Sequence, residues 1–243
     1  MSDLFKKALA ECFGTAVLVF VACGVAVVSG VNWVATSLAF GLVIVAMAYS
    51  IGNISGCHIN PAVSLAMALR KEISWKEFAV YVLSQVIGAF IGALLLALCV
   101  RSFATLGGNA IQQGLMAEET NSIGLVVGYK LDALSYIAAF VAEVVLTLIF
   151  VFAIIGVTDG KFGNGKLGGI VIGATLVLVH LMGLGLTGTS VNPARSLAPA
   201  FLQAIAGDAT SLSQIWIWII APLVGAALAA GLYSVLFGKK KEQ

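Results

Sequence analysis

Two Asn-Pro-Ala triplets dominate the chemistry that this sequence offers: Asn60, Pro61 and Ala62, and Asn192, Pro193 and Ala194. Asn is among the best residues at a helix N-cap, and Pro is favoured at the first helical position, so each triplet predicts a helix start. A helix N-terminus carries partial positive charge, and an Asn amide donates hydrogen bonds. Two such starts that meet would hold a neutral acceptor and repel protons and metal cations.

Two carboxylates, Glu11 and Glu143, interrupt apolar stretches. An ionisable group at membrane depth is a candidate functional group, so one interpretation is the proton relay of a coupled transporter. The alternative is structural, with each carboxylate accepting hydrogen bonds from non-helical backbone beside a helix start. We favour the structural role because the two residues are related by an internal repeat.

Histidine and cysteine are too sparse to suggest a metal centre. Both histidines, His58 and His180, lie before a triplet, and the four cysteines lack any framework or ligand spacing. These cysteines are Cys12, Cys23, Cys57 and Cys99. We therefore predict no disulfide, no metal, no cofactor and no catalytic residue, since a nucleophile–base cluster is also missing.

The composition indicates an integral membrane protein. Of 243 residues, 60% are apolar and 10% are charged, against about 45–50% and 25% in soluble domains. The mean hydropathy of +1.07 agrees. A net charge of +2 is too small to suggest nucleic acid as a partner.

Six stretches have the length of a membrane-spanning helix, about 20 mainly apolar residues. They are roughly 8–29, 33–53, 77–100, 134–157, 168–186 and 214–237. Two shorter apolar stretches, 61–69 and 193–206, follow the triplets and cannot span. At 1.5 Å per residue the first reaches about 14 Å, roughly half of the hydrocarbon core.

The positive charges predict the orientation of these spans. If the N-terminus lies inside, the inside holds ten Lys and Arg residues and the outside only Arg101 and Lys130. The inside residues are Lys6, Lys7, Arg70, Lys71, Lys76, Lys161, Lys166, Lys239, Lys240 and Lys241. Both termini are therefore predicted to be cytoplasmic.

The two halves of the chain are related by an offset of 132 positions. This offset pairs Glu11 with Glu143, Gly41 with Gly173, Gly56 with Gly188, Asn60 with Asn192 and Ser64 with Ser196. Each half has three spans, so the second half is inverted in the membrane. We predict an all-α membrane protein with six transmembrane helices and two re-entrant half-helices, a single channel domain over 1–243 with inverted repeats roughly 1–105 and 130–238.

Paired triplets on two half-helices, the second followed by Arg, resemble the aquaporin (major intrinsic protein) family over nearly the whole chain. A lone Asn-Pro-Ala would be weak, but the pair at this spacing is specific. The resemblance implies passive, single-file permeation of water with exclusion of protons and ions. It also implies the structural role of Glu11 and Glu143.

The resemblance further implies a selectivity filter near the outer mouth. Arg195 follows the second triplet, Phe40 lies twenty positions before the first Asn, and His180 lies twelve before the second. Thr189, three before the second Asn, would offer its backbone carbonyl. This set is similar to the water-selective branch, since glycerol facilitators typically carry a small residue in place of the His and an Asp after the Arg, where this chain has Ser196.

Two further residues are candidates for the pore lining. His58, two positions before Asn60, is predicted to line its cytoplasmic half. Cys57 is the repeat counterpart of Thr189, and for it simple packing remains an equal alternative.

The resemblance implies a homotetramer with one pore per subunit, with water and the lipid bilayer as partners. The short termini favour a prokaryotic plasma (inner) membrane.

Two other functions stay open. One is a broader facilitator of glycerol or another small neutral solute, and the other is an ion-coupled secondary transporter, which shares inverted repeats and midplane half-helices. Against the transporter, the spans offer only two carboxylates.

Overall fold

The structure is a computed structural model that describes residues 2–238. Three of the predicted inside lysines, Lys239, Lys240 and Lys241, lie outside the described residues. Within 2–238, six helical segments are long and apolar enough to cross a membrane. Two short helices, each beginning at a triplet proline, complete the predicted architecture, so the fold prediction is confirmed.

The first span consists of α1 (Asp3–Leu18), a π-helical turn (Val19–Cys23) and α2 (Gly24–Val28). The other spans are α3 (Trp33–Ser55), α5 (Trp75–Val100), α6 (Ala133–Thr158), α7 (Gly168–Thr187) and α10 (Ile215–Phe237). The half-helices are α4 (Pro61–Leu69) and α8 (Pro193–Ile205), and α9 (Thr210–Ser213) is a single turn. Short 3₁₀ turns occupy Gln113–Leu115 and Gly165–Leu167.

Local sequence explains where several helices begin and end. Ser74 and Glu77 form a reciprocal capping box at the start of α5, which satisfies two orphan N–H groups. Asp132 and Ser135 do the same at the start of α6. α3 and α7 both end at a left-handed glycine, and these are the repeat-related Gly56 and Gly188.

Besides the short turns, two features were not predicted. One is the π-helical turn inside the first span. The other is a small antiparallel hairpin between the two halves, formed by β1 (Ala117–Thr120) and β2 (Val126–Lys130). The hairpin lies in the connecting segment outside the repeat, where no hydrophobic periodicity is available to predict it.

The helices pack as two equivalent sets. α1 packs along α5 and α6 along α10, while α3 and α7 pack against each other across the junction of the halves. Each half-helix contacts a span of the opposite half, α4 with α10 and α8 with α5. At this junction the backbones of α3 and α7 are in direct contact. A Cβ on Gly173 would lie only 2.6 Å from the carbonyl oxygen of Gly41.

Close approach also marks the pair α1 and α5. The pattern "GAFIG" predicts small residues at a helix contact, and a Cβ on Gly88 or Gly92 would collide with the carbonyl groups of Cys12 and Ala16. Glycine is required here because no side chain fits between the helices.

The positive residues collect at one end of the molecule. Lys7 Nζ lies 2.9 Å from Glu77 Oε1, which joins the start of α1 to the start of α5. Arg70 Nη2 lies 3.4 Å from Asp159 Oδ2, so the end of α4 meets the end of α6. Arg101 and Lys130 flank α5 and α6 at the opposite end.

Candidate functional site between the two half-helices

Each triplet starts a helix in the predicted manner. Asn60 is the extended N-cap of α4, and its Oδ1 accepts from Ala62 N at 2.8 Å. Asn192 caps α8, and its Oδ1 accepts from Ala194 N at 3.1 Å and from Arg195 N at 3.2 Å. The proline that follows occupies the first helical position in both cases.

The two amides also bond across the junction of the halves. Asn60 Nδ2 donates to Val191 O at 2.7 Å, and Asn192 Nδ2 donates to Ile59 O at 2.9 Å. An amide nitrogen carries two hydrogens. Each Asn therefore keeps one hydrogen for a guest between the helix starts.

Glu11 fixes the segment before the first triplet. Its Oε1 accepts from Ser55 Oγ at 2.6 Å and from His58 N at 2.9 Å. Its Oε2 accepts from Ile59 N at 2.6 Å and from Gln85 Nε2 at 2.7 Å. The carboxylate is fully buried, and four hydrogens fill its acceptor sites.

Glu143 repeats this arrangement in the second half. It accepts from Thr187 Oγ1 at 2.6 Å, from Ser190 N at 2.8 Å and from Val191 N at 2.8 Å. These donors occupy the positions equivalent to those around Glu11. The fourth donor has no counterpart, because Ile217 stands at the offset of Gln85.

The two carboxylates stabilise loop residues in a left-handed backbone conformation, which is unfavourable for residues other than glycine. Cys57, Ile59, Thr189 and Val191 have φ between 41° and 53°. A left-handed conformation costs a residue with a Cβ about 1–2 kcal/mol. The N–H groups of Ile59 and Val191 are bound by the two glutamates, which offsets this cost and fixes the loops.

Phe40, His180 and Arg195, far apart in sequence, meet in one cluster. The rings of Phe40 and His180 are stacked, with centroids 4.2 Å apart and planes at 21°. Arg195 Cζ lies 5.0 Å from the centroid of the Phe40 ring. All three side chains are buried.

His180 presents an acceptor to this space. Its Nδ1 lies 2.9 Å from Leu176 O, and because a carbonyl can only accept, Nδ1 carries the hydrogen. A neutral ring then has a lone pair on Nε2, which is buried without a protein partner among the described residues.

Arg195 is held by a loop that sequence reasoning missed. Its Nη1 donates to Gly107 O at 2.9 Å and to Asn109 Oδ1 at 2.6 Å. Asn109 also accepts from Ser196 Oγ at 2.8 Å. Gly107 and Asn109 lie beyond the first repeat, so no offset identifies them; the polar run at 107–109 between apolar spans was the only available signal.

Two adjoining cavities run through the site. A cavity of about 190 Å³ opens beside Arg70 and Asp159 and is lined by Cys57 and His58. A narrow cavity of about 20 Å³ continues from His58 to the cluster at Arg195. Its other polar lining residues are Asn60, His180, Ser190 and Asn192.

Thr189 is the one predicted filter residue that does not line either cavity. It is fully buried, with φ of 49°, and its Oγ1 has no protein partner among the described residues. Its Oγ1 lies against Gly183 of α7, where an added Cβ would be 2.5 Å away. The side chain is therefore used in helix packing, which leaves the backbone carbonyl as the group available for the predicted role.

Asp159 lies at the mouth of the wider cavity, just after the end of α6. Its Oδ1 accepts from Lys161 N at 2.9 Å and from Phe162 N at 3.0 Å. These backbone hydrogen bonds, first that from Lys161, and the charge of Arg70 lower the pKa of Asp159 below its usual 3.8. The carboxylate is therefore charged at neutral pH.

Comparison with known proteins yields a family and several relatives. The model of the family described as MIP, major intrinsic protein, matches residues 1–233. Aquaporin Z of Rhodopseudomonas palustris is 41% identical over 237 residues, covering 95% of this chain and 93% of that protein. Glycerol uptake facilitator protein-like 6 of Lactiplantibacillus plantarum is 37% identical over 226 residues, covering 93% and 95%.

Among solved structures, the aquaglyceroporin from Plasmodium falciparum matches with a TM-score of 0.75. It is 24% identical, and the match covers 95% of each chain. At this identity the likeness concerns the fold.

Proposed function

The chain belongs to the major intrinsic protein family, and from that premise we propose that its two half-helices and filter cluster form the pore of a passive water channel. The relatives named Aquaporin Z support water as the permeant. The family transports solutes, and we assign no chemical reaction to this chain.

The narrow cavity carries the proposal. One water needs about 10–15 Å³ of such space, so a cavity of about 20 Å³ has room for one or two waters, which supports single-file passage. The stacked rings of Phe40 and His180 narrow the passage. A polyol needs a wider lumen, and we therefore place the size filter at Phe40, His180 and Arg195, with the Thr189 carbonyl as an acceptor.

Exclusion of ions follows from charge at two levels. The starts of α4 and α8 bring two positive dipole ends together at the Asn60 and Asn192 amides. Arg195 adds a full positive charge on the outer side. A water molecule passes because it can accept from these donors, whereas a cation is repelled by the same positive ends and by Arg195.

The orientation follows from the charge distribution. Seven described Lys and Arg residues lie at the end of the molecule that holds the N-terminus, and we propose that this end is cytoplasmic. The protein is a multi-pass membrane protein, and we propose the plasma (inner) membrane as its location. We also propose a homotetramer, in which each subunit has its own pore because one chain lines the whole cavity.

Stopped-flow light scattering on proteoliposomes tests the function. A sucrose gradient should cause shrinkage much faster than in protein-free vesicles, without any ion gradient. A glycerol gradient should cause equally fast shrinkage and no accelerated re-swelling.

The other outcomes identify the alternatives. Accelerated re-swelling in glycerol would favour a facilitator, for which the relative in Lactiplantibacillus plantarum is a precedent by name. A requirement for an ion gradient would favour a coupled transporter. Shrinkage at the rate of empty vesicles would refute the channel.

A further inference from the structure

A chain of polar side chains connects Glu11 to the ring of His58. Gln85 Nε2 donates to Glu11 Oε2 at 2.7 Å and to Ser64 Oγ at 3.0 Å. Ser64 Oγ in turn lies 3.1 Å from His58 Nδ1. Gln85 and Ser64 are fully buried. Because the Glu11 carboxylate can only accept, it determines which atom donates in each of the following hydrogen bonds.

Glu11 determines how the amide of Gln85 is oriented. The carboxylate accepts from four donors, so the atom of Gln85 that faces Glu11 must be the nitrogen. The reverse orientation would bring the amide oxygen against a carboxylate oxygen. The second hydrogen of the same nitrogen then points at Ser64 Oγ.

Ser64 must donate its hydroxyl hydrogen in the hydrogen bond to His58 Nδ1. Its oxygen already accepts from Gln85, and its hydroxyl has one hydrogen to donate. Within the described residues, His58 Nδ1 is the only acceptor bonded to Ser64 Oγ. In the second half, by contrast, Ser196 Oγ can donate to Asn109 Oδ1 or to Asn192 O.

We propose that Gln85 and Ser64 are positioning residues that hold His58 in the tautomer protonated at Nε2, which makes the ring a permanent hydrogen-bond donor to water on the cytoplasmic side of the two Asn amides. The assignment of the tautomer rests on hydrogen bonds alone. Only the identity of the acceptor, the water column, rests on the proposed function.

The packing around His58 leaves Nε2 available to the cavity. The ring meets Tyr81 edge to face, with centroids 5.1 Å apart and planes at 69°, and Tyr81 is fixed by a hydrogen bond from its hydroxyl to Ser55 O at 2.7 Å. A Cβ on Gly56 would lie 3.2 Å from Nε2. Glycine therefore keeps this edge of the ring open, and His58 lines both cavities.

The two histidines then have opposite roles. His180 carries its hydrogen on Nδ1, bound to Leu176 O, and offers a lone pair at Nε2. His58 offers a hydrogen at Nε2. Water entering from the cytoplasmic side meets a donor before the amides of Asn60 and Asn192, whereas at the filter it meets an acceptor beside Arg195.

Solid-state NMR on the full chain in lipid bilayers tests the tautomer directly. With ¹³C,¹⁵N-histidine, protonated and unprotonated ring nitrogens are resolved, and ring ¹³C correlations distinguish Nδ1 from Nε2. The chain has 2 histidines, and ¹³C-carbonyl valine identifies His180 through Val179. We expect His58 protonated only at Nε2 and His180 only at Nδ1. Any Nδ1-protonated His58 in the wild-type protein would overturn the proposal.

Variants separate the two positioning residues from general packing. Ser64→Ala and Gln85→Met should each produce an Nδ1-protonated population of His58, and Ser64→Thr should restore the single tautomer. Ser196→Ala, at the repeat-equivalent position, should leave His58 unchanged. If His58 stays protonated only at Nε2 in Ser64→Ala, the role assigned to Ser64 is wrong.

Magnetisation transfer from water to the ring tests the acceptor. A water cross-peak at His58 Nε2 is expected, and its absence would refute donation to water. These spectra do not depend on permeation. The predicted tautomer in a protein that fails the vesicle test would refute the proposed function and leave the tautomer assignment intact.

Discussion

At the scale of single residues, Arg195 is the only charged group in the filter cluster, and its partners are neutral. Gly107 O and Asn109 Oδ1 bind the guanidinium without cancelling its charge, and no carboxylate pairs with it among the described residues. A neutral clamp of this kind fixes the position of the charge and keeps its field in the passage.

Arg195→Val should therefore open the passage to protons and cations while water still passes. Val63 stands at the equivalent position of the first half, so valine fits the motif. Two unit charges 4 Å apart repel each other by about 4 kcal/mol at an effective dielectric constant of 20. Loss of only a third of that would raise the leak about tenfold.

A pH-sensitive dye inside proteoliposomes measures this leak. Lys130→Gln removes a positive charge from the hairpin, away from the cavity, and should behave like the wild-type protein. A proton leak in Arg195→Val no greater than in Lys130→Gln would show that the barrier lies elsewhere.

The proposed size filter contains the stacked pair Phe40 and His180. In the double variant Phe40→Ala/His180→Gly, both rings are removed, and we expect glycerol influx to rise on the order of tenfold, equivalent to about 1.4 kcal/mol of barrier. Glycerol re-swelling of vesicles measures it. Phe201→Ala, whose ring packs on Phe90 outside the cavity, is the matched control; re-swelling that stays at the level of this control would argue against the filter assignment.

The sequence predicted this cluster only through motif spacing. Phe40, His180 and Arg195 are counted from the triplets, and the structure brings these three side chains together. Asn109, Ser64 and Gln85 could not be found in this way. Their function depends on hydrogen bonds between residues up to 87 positions apart, and such bonds leave no periodic signal.

At the scale of secondary-structure elements, the two buried carboxylates hold the loops that aim the half-helices. Glu11→Gln and Glu143→Gln each replace one acceptor oxygen by a donor. Each oxygen of Glu11 and of Glu143 accepts from one backbone N–H, which cannot reorient as a hydroxyl or a side-chain amide can. Either orientation of Gln therefore leaves one backbone donor unpaired in both variants.

Glu11→Gln and Glu143→Gln should therefore both destabilise the protein, each by the roughly 1–3 kcal/mol that a buried unsatisfied donor costs. Thermal unfolding in detergent measures the loss. A wild-type Tm in either variant would contradict the structural role, and water flux that needs a proton gradient would revive the proton-relay interpretation.

Glycine determines how closely α1 and α5 approach. Gly88→Ala would press a methyl group onto the carbonyl of Cys12, so we expect a loss of about 1–3 kcal/mol from overpacking. Gly231→Ala in α10 meets open space and should gain about 0.5–1 kcal/mol from the lower flexibility of the unfolded chain. Tm shifts of the same sign in the two variants would show that the contact between α1 and α5 does not control stability.

Sequence patterns predicted the elements better than their irregularities. Helix starts at Asn60 and Asn192 follow from capping chemistry, and the spans follow from apolar length. The π-helical turn Val19–Cys23 follows from neither, because its residues are as apolar as their neighbours. Gly107 packs on Cys23 in this turn, so the irregularity arises where a loop of distant sequence contacts the helix.

At the scale of the whole molecule, one ion pair joins the two halves at the end that holds the N-terminus. Arg70 ends α4 of the first half, Asp159 follows α6 of the second, and Arg70 also covers the Tyr233 ring of α10 at 4.7 Å. The pKa of Asp159 is lowered in the folded protein. Its contribution to stability is therefore present above the unfolded value near 3.8 and is lost as the pH falls below it.

Asp159→Asn should lower the Tm at neutral pH and leave a smaller further decrease on acidification below about pH 4. Glu118→Gln, in the exposed hairpin, serves as the control. It should have the wild-type Tm at neutral pH and the wild-type decrease on acidification. Measurements of Tm between neutral pH and about pH 3 test this prediction. A variant with the wild-type Tm at neutral pH would show that the ion pair does not join the halves.

The crossed hydrogen bonds at the triplets also impose a waiting time during synthesis. Asn60 finds its acceptor, Val191 O, 131 residues further along the chain. At about 5–20 residues per second, the ribosome takes roughly 7–26 s to deliver it. For that interval the first half lies in the bilayer while the Asn60 amide and the Ile59 carbonyl, which later accepts from Asn192, lack their final partners.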